Sequence, residues 1–143
     1  MRNYSFITLI TFFVFCGCSK KSNNYEYIIK NESFRSNIKT GNFIKLTDGY
    51  TYYESENINN KDLLVFVHGF SVPSYIWDLT YNEAIERGYG VIKLDLFGRG
   101  YSDNPDIIYN DRLFADQVIE LLDSLKINKK VFLVGLSNGG RVI

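Results

Sequence analysis

Apolar and polar positions along this chain fall into short blocks with two different periods. Leu63-Leu64-Val65-Phe66-Val67 is an unbroken apolar run, the pattern of a strand covered on both faces. Val91-Ile92-Lys93-Leu94 and Val131-Phe132-Leu133-Val134 repeat that signal. Between the first two runs, Ser74 offers a helix cap, Trp77, Tyr81, Ala84 and Ile85 recur at helical spacing, and Gly88 supplies a stop, which predicts a helix from Ser74 to Arg87. From Asn110 or Asp111, residues Leu113, Phe114, Gln117, Val118, Leu121, Leu122 and Leu125 recur at three- and four-residue intervals and predict a second helix. A further helix should open at Gly139. Upstream, Phe43 to Leu46 and Thr51 to Glu54 flank Thr47-Asp48-Gly49-Tyr50, where Asp-Gly marks the reversal of a hairpin. No internal repeat or low-complexity stretch interrupts the series. Strand and helix in alternation predict an α/β fold, a mostly parallel sheet with right-handed crossovers and helices on both faces.

Composition sets the class. The 143 residues are 45% hydrophobic and 16% aromatic, the balance of one globular domain with a core. Sixteen basic and sixteen acidic residues leave a formal charge of zero, so no global field draws nucleic acid or anionic lipid, and no nucleic-acid partner is expected. Membrane association has to come from a local segment. Arg2, the apolar stretch Phe6 to Phe15 and the small Gly17 read as a secretory signal over residues 1–17, too short to cross a bilayer, which takes about 20 apolar residues. Phe15-Cys16-Gly17-Cys18 resembles the lipobox of bacterial lipoproteins, and that resemblance implies acylation of Cys18 and attachment to the cell envelope of an exported protein. An ordinary signal peptide or an anchoring helix is the alternative. Residues 18–25, the acylated cysteine and the polar run from Ser19 to Asn24, then form a tether, and residues 26–143 form the domain. Cleavage before Cys18 would leave the exported domain without a free thiol, hence without a disulfide or a cysteine-based metal site. No cofactor or metal is expected.

The chemistry is concentrated at Gly135-Leu136-Ser137-Asn138-Gly139, directly after the third apolar run. This is G-x-S-x-G, a strand-to-helix turn that holds a nucleophilic serine above a parallel sheet. A serine strained at a sharp turn needs neighbours whose side chains do not collide with it, hence Gly135 and Gly139. A serine hydroxyl also needs a base. The single histidine, His68, lies far upstream of Ser137, whereas with this turn the acid and the histidine follow the serine. Only Asn138 to Ile143 follow Ser137 here, so the sequence reads as the truncated N-terminal part of an enzyme, inactive alone.

Two companions accompany that motif: Val67-His68-Gly69-Phe70 after the first apolar run, and Asp95-Leu96-Phe97-Gly98-Arg99-Gly100-Tyr101-Ser102-Asp103 after the second. With all three in order, residues 40 to 143 resemble the N-terminal half of the α/β-hydrolase fold, in its serine hydrolase and lipase-like branch. The resemblance implies Ser137 as nucleophile and the backbone N–H groups of Phe70 and Asn138 as an oxyanion hole. It implies structural roles for His68 and Gly69 in the oxyanion turn, for Asp95, Gly98 and Gly100 in the turn beside the pocket, and for Gly135 and Gly139 in the serine turn. The implied substrate is a small-molecule ester or related acyl compound. Serine at this position argues against a dehalogenase, but leaves esterase, lipase, peptidase and carbon–carbon bond hydrolase open. The alternative is a non-catalytic, lipid-anchored surface protein retaining part of the fold, in which Val131 to Val134 would form an exposed apolar edge.

Overall fold

The computed structural model describes residues 29–143. The signal segment, Cys18 and the tether lie outside the described residues. Five strands form one sheet in the order β1-β2-β4-β3-β5. β1 (Asn42–Lys45) and β2 (Tyr50–Glu56) form the antiparallel hairpin expected around Asp48-Gly49. β3 (Leu63–Val67), β4 (Gly90–Leu94) and β5 (Phe132–Gly135) are parallel to one another, while β2 joins β4 antiparallel. The sheet is therefore mixed, its parallel part carrying the three motif-bearing strand ends.

Because each β3 and β4 residue turns to the opposite face from its neighbour, the apolar runs divide between two cores. Val65, Val67, Ile92 and Leu94 pack against Val118 and Leu121 of α3 (Asp111–Ser124). Phe66 and Val91 face the other way, against Tyr81 and Ala84 of α2 (Asp78–Glu86). Lys93 shares that second face and is only 4% exposed. Its ammonium is paired with Glu54 at 3.1 Å and with Asp78, and sits 5.0 Å from the Tyr81 ring centroid, which offsets the cost of burying a charge.

Helix boundaries follow the sequence signals with one correction. Asn110 caps α3, its side chain accepting from Leu113 N at 2.9 Å, and Gly88 ends the α2 segment in the left-handed region at φ +85°. Ser74, however, is not a cap. Residues Ser74–Trp77 form a 3-10 turn, α2 starts at Asp78, and the Ser74 N–H donates instead to Asp95 Oδ1 at 2.8 Å. A short α1 (Glu32–Asn37), capped by Asn31, precedes the sheet; it carries too little apolar periodicity to be read from sequence. Lys30 fastens its start to the Ser102 carbonyl and, at 3.0 Å, to Asn104 Oδ1. At the opposite edge β5 leaves Phe132 57% and Leu133 40% exposed.

The connections decide where the site lies. From β3 the chain passes through α2 to β4, and from β4 through α3 to β5, on the other side of β3. Such a reversal of direction opens a crevice beyond the carboxyl ends of the strands. Register places Val67 beside both Leu94 and Gly135, so the segments after β3, β4 and β5 emerge side by side. Leu121, fully buried in the α3 core, should be the most sensitive position of that helix: Leu121→Ala is expected to cost about 2–5 kcal/mol in urea unfolding, against under about 1 kcal/mol for the exposed Ile119→Ala.

Candidate active site

Ser137 lies between β5 and α4 (Gly139–Val142) with φ +52°, one of three non-glycine residues with positive φ among those described. That conformation costs about 1–3 kcal/mol and persists only where the surroundings impose it. Here the glycines are what allow it. A Cβ on Gly135 would lie 2.5 Å from the Gly139 carbonyl, and one on Gly139 would lie 2.3 Å from the Val67 carbonyl oxygen and 2.6 Å from that of His68. On the facing turn, a Cβ on Gly69 would meet Leu136 O and Ser137 Cβ at 3.2 Å and Ser137 Oγ at 3.8 Å. The serine turn and the His68-Gly69-Phe70 turn are thus in backbone contact, with Ser137 exposed above them. Among the described residues, neither the Phe70 N–H nor the Asn138 N–H donates a hydrogen bond.

His68 is fully buried and committed at both ring nitrogens. Nε2 accepts from the Leu96 N–H at 2.9 Å, which leaves the proton on Nδ1, donating to the Gly69 carbonyl at 2.6 Å. Burial pushes its pKa below the ordinary imidazole value. The ring ties the turn after β3 to the turn after β4, with no lone pair available toward Ser137.

Asp95 is equally occupied. Only 2% exposed, it accepts from Ser74 N at Oδ1 and from Tyr101 N at Oδ2, both at 2.8 Å. Gly100, at φ +49°, passes so close that a Cβ there would fall 2.0 Å from Asp95 Oδ2. Gly98, at φ +76°, faces the Tyr109 ring with the same lack of room, at 2.8 Å. These glycines let the β4 loop wrap around a buried carboxylate.

Residues 64–143 match the Alpha/beta hydrolase family. The chain belongs to that family. It is 30% identical over 102 residues to the AB hydrolase superfamily protein YisY of Bacillus subtilis, covering 71% of this chain and 37% of that protein. It is 31% identical over 103 residues to a proline iminopeptidase of Thermoplasma volcanium, covering 68% and 34%. Among solved structures, the esterase EaEST of Exiguobacterium antarcticum superposes with a TM-score of 0.66 at 30% identity, covering 72% of this chain and 38% of that one. The chain thus spans little more than a third of the length of the relatives it matches.

Two residues of this alpha/beta hydrolase chain escape the sequence signals. Gln117 reads as one member of the α3 apolar stripe, yet its buried amide donates to Asp95 O at 3.0 Å and Thr51 Oγ1 at 2.9 Å while accepting from Phe97 N at 2.9 Å. It fixes the β4 loop from beneath. Arg99, between Gly98 and Gly100, reaches the other turn: Nε donates to the Phe70 carbonyl at 2.6 Å and the guanidinium carbon lies 4.5 Å from the Phe70 ring centroid. The Arg99 contact arises only where the two loops meet, and those of Gln117 only where α3 packs under the β4 loop. A cavity of about 680 Å³ opens there, bounded by Phe70, Arg99, Tyr109, Phe114, Asn138 and Arg141. A second, of about 450 Å³ around Tyr52, Glu54, Asp78, Tyr81 and Lys93, lies on the α2 face, and Ser137 lines neither of the two. Among the described residues no three His, Cys, Asp or Glu side chains gather as metal ligands.

Two expectations follow from this packing. Gly139→Ala should lower the unfolding free energy by more than about 2 kcal/mol, since backbone rather than a mobile side chain stands in the way; Gly140→Ala, whose Cβ would find its nearest neighbour at 3.8 Å, should be tolerated. His68 has a folded pKa below its unfolded one, so unfolding takes up a proton as the pH falls below about 6.5, and stability present above that pH is lost on the way down. Urea midpoints at pH 7.5 and pH 5.5 should show the loss, and His68→Gln should flatten it.

Proposed function

We propose that this protein is a serine hydrolase of carboxylic esters or related acyl substrates, with Ser137 as nucleophile. The carrying observation is the pairing of a strained, exposed Ser137 with two turns whose Phe70 and Asn138 N–H groups have no acceptor among the described residues. Ser137 Oγ attacks the substrate carbonyl carbon, the π electrons move to oxygen, and the two N–H groups receive the resulting oxyanion. Donors set in advance for such a charge are worth about 3–4 kcal/mol each when removed singly. A base takes the serine proton and returns it to the leaving alcohol as the ester C–O bond breaks, and water then releases the acyl group. The esterase neighbour and the hydrolase relatives support this reading; the iminopeptidase relative keeps amide bonds in view as an alternative acyl substrate.

The base is not His68, whose nitrogens are both engaged. No other imidazole occurs in the 143 residues, so the reading requires a base from polypeptide outside them. For the chain taken alone it predicts weak fluorophosphonate labelling; rapid, Ser137-dependent labelling would show that the base is already present. With the base supplied, p-nitrophenyl butyrate hydrolysis should fall by at least about a thousandfold in Ser137→Ala, and retained turnover in that variant would reject the nucleophile. Acylation of Cys18, with export to the bacterial envelope, completes the proposal. Radiolabelled palmitate should enter the wild-type chain and not Cys18→Ser; equal incorporation would reject the anchor.

A further inference from the structure

We propose that Arg99 is a positioning residue that fixes the direction of the Phe70 N–H. This rests on the reading of Phe70 as an oxyanion donor. Phe70 is 69% exposed, and a residue with so little packing has little of its own to hold its backbone torsions. Three contacts supply what packing does not. A Cβ on Gly69 would meet Leu136 O and Ser137 Cβ at 3.2 Å, so the peptide entering Phe70 runs close beside the serine turn. Arg99 Nε donates to the Phe70 carbonyl at 2.6 Å, which restrains the peptide leaving it. The guanidinium carbon, 4.5 Å from the ring centroid, restrains the side chain. Holding the Phe70 carbonyl and ring limits rotation about the Phe70 torsions, and with it the direction of the N–H.

Arg99 is itself well anchored. Its own N–H donates to Leu96 O at 3.0 Å, and Nη1 donates to Gly98 O at 2.8 Å. The flanking glycines adopt φ values of +76° and +49°, and Asp95 holds the loop's far end through Tyr101 N. A planar, always-charged fork can donate and stack at once, whereas a lysine ammonium can offer only a point charge to the carbonyl. The clamp therefore couples the loop after β4 to the turn after β3. Misplacement of a reacting group by about 1 Å costs roughly a hundredfold in rate.

The test uses backbone ¹⁵N relaxation on the 143-residue chain, which reads the clamp whether or not the chain turns over substrate. Phe70 and Ser71 should show order parameters near the rigid-backbone value of about 0.85, and in Arg99→Ala fall below about 0.6 while β3 and α3 amides stay unchanged. Arg99→Lys should restore part of the order. Phe70 as rigid in Arg99→Ala as in the wild type would overturn the proposal; should Arg99→Ala not fold, wild-type order at Phe70 in Arg99→Lys would overturn it equally. With the base supplied, Arg99→Ala should lower kcat for p-nitrophenyl butyrate about tenfold or more with KM within about twofold, and a loosened Phe70 with unchanged kcat would also overturn the positioning role. Ser137→Ala tests the nucleophile separately, so failure of the clamp leaves that reading standing.

Discussion

Gly139 rests directly against the carbonyls of Val67 and His68, closer than any side chain would permit. That contact seats the first turn of α4 on the end of β3. The sheet prepares it: Val67 pairs with Gly135, and Leu136 N continues the ladder by donating to Val67 O at 3.0 Å. With β5 held in register and α4 pressed down, the intervening three residues have only a short path. Ser137 takes up the strain as a positive φ. The turn is therefore imposed from two sides, which is the condition under which a costly conformation persists.

Around this contact, buried polar side chains serve as fasteners between loops. His68 joins the β3 turn to Leu96, Asp95 joins the β4 loop to Ser74 and Tyr101, and Gln117 reaches up from α3 to Asp95 O and Phe97 N. Each such bond adds only about 1 kcal/mol net, but a buried group left without its partner costs about 1–3 kcal/mol. Their effect is to make alternative loop arrangements expensive rather than the native one exceptionally stable. Three strand ends that would otherwise fray are tied into one rigid rim.

Rigidity and exposure are then combined at one place. Ser137 and Phe70 both face solvent, while the backbone beneath them is fixed by Gly139, Gly69 and His68. An exposed hydroxyl beside two N–H groups without an acceptor among the described residues is the geometry on which the proposed oxyanion role rests.

The sequence by itself determined what depends on neighbours along the chain. The apolar runs gave β3, β4 and β5, the three- and four-residue spacing with Asn110 gave α3, Asp48-Gly49 gave the hairpin, and G-x-S-x-G gave the bend at Ser137. Periodicity and turn stereochemistry are local properties, so they are written locally. Tertiary structure alone decided the partners of polar groups. Ser74 looked like a cap, but its N–H found the Asp95 carboxylate 21 residues away; Gln117 looked like one more stripe position and became a loop fastener; Lys93 interrupted an apolar strand and was neutralised by Glu54 and Asp78. Arg99 met Phe70 only because β3 and β4 end side by side. A hydrogen bond or ion pair forms where distant segments come within about 3 Å, and that distance is fixed by strand register and by the side of the sheet on which a crossover runs.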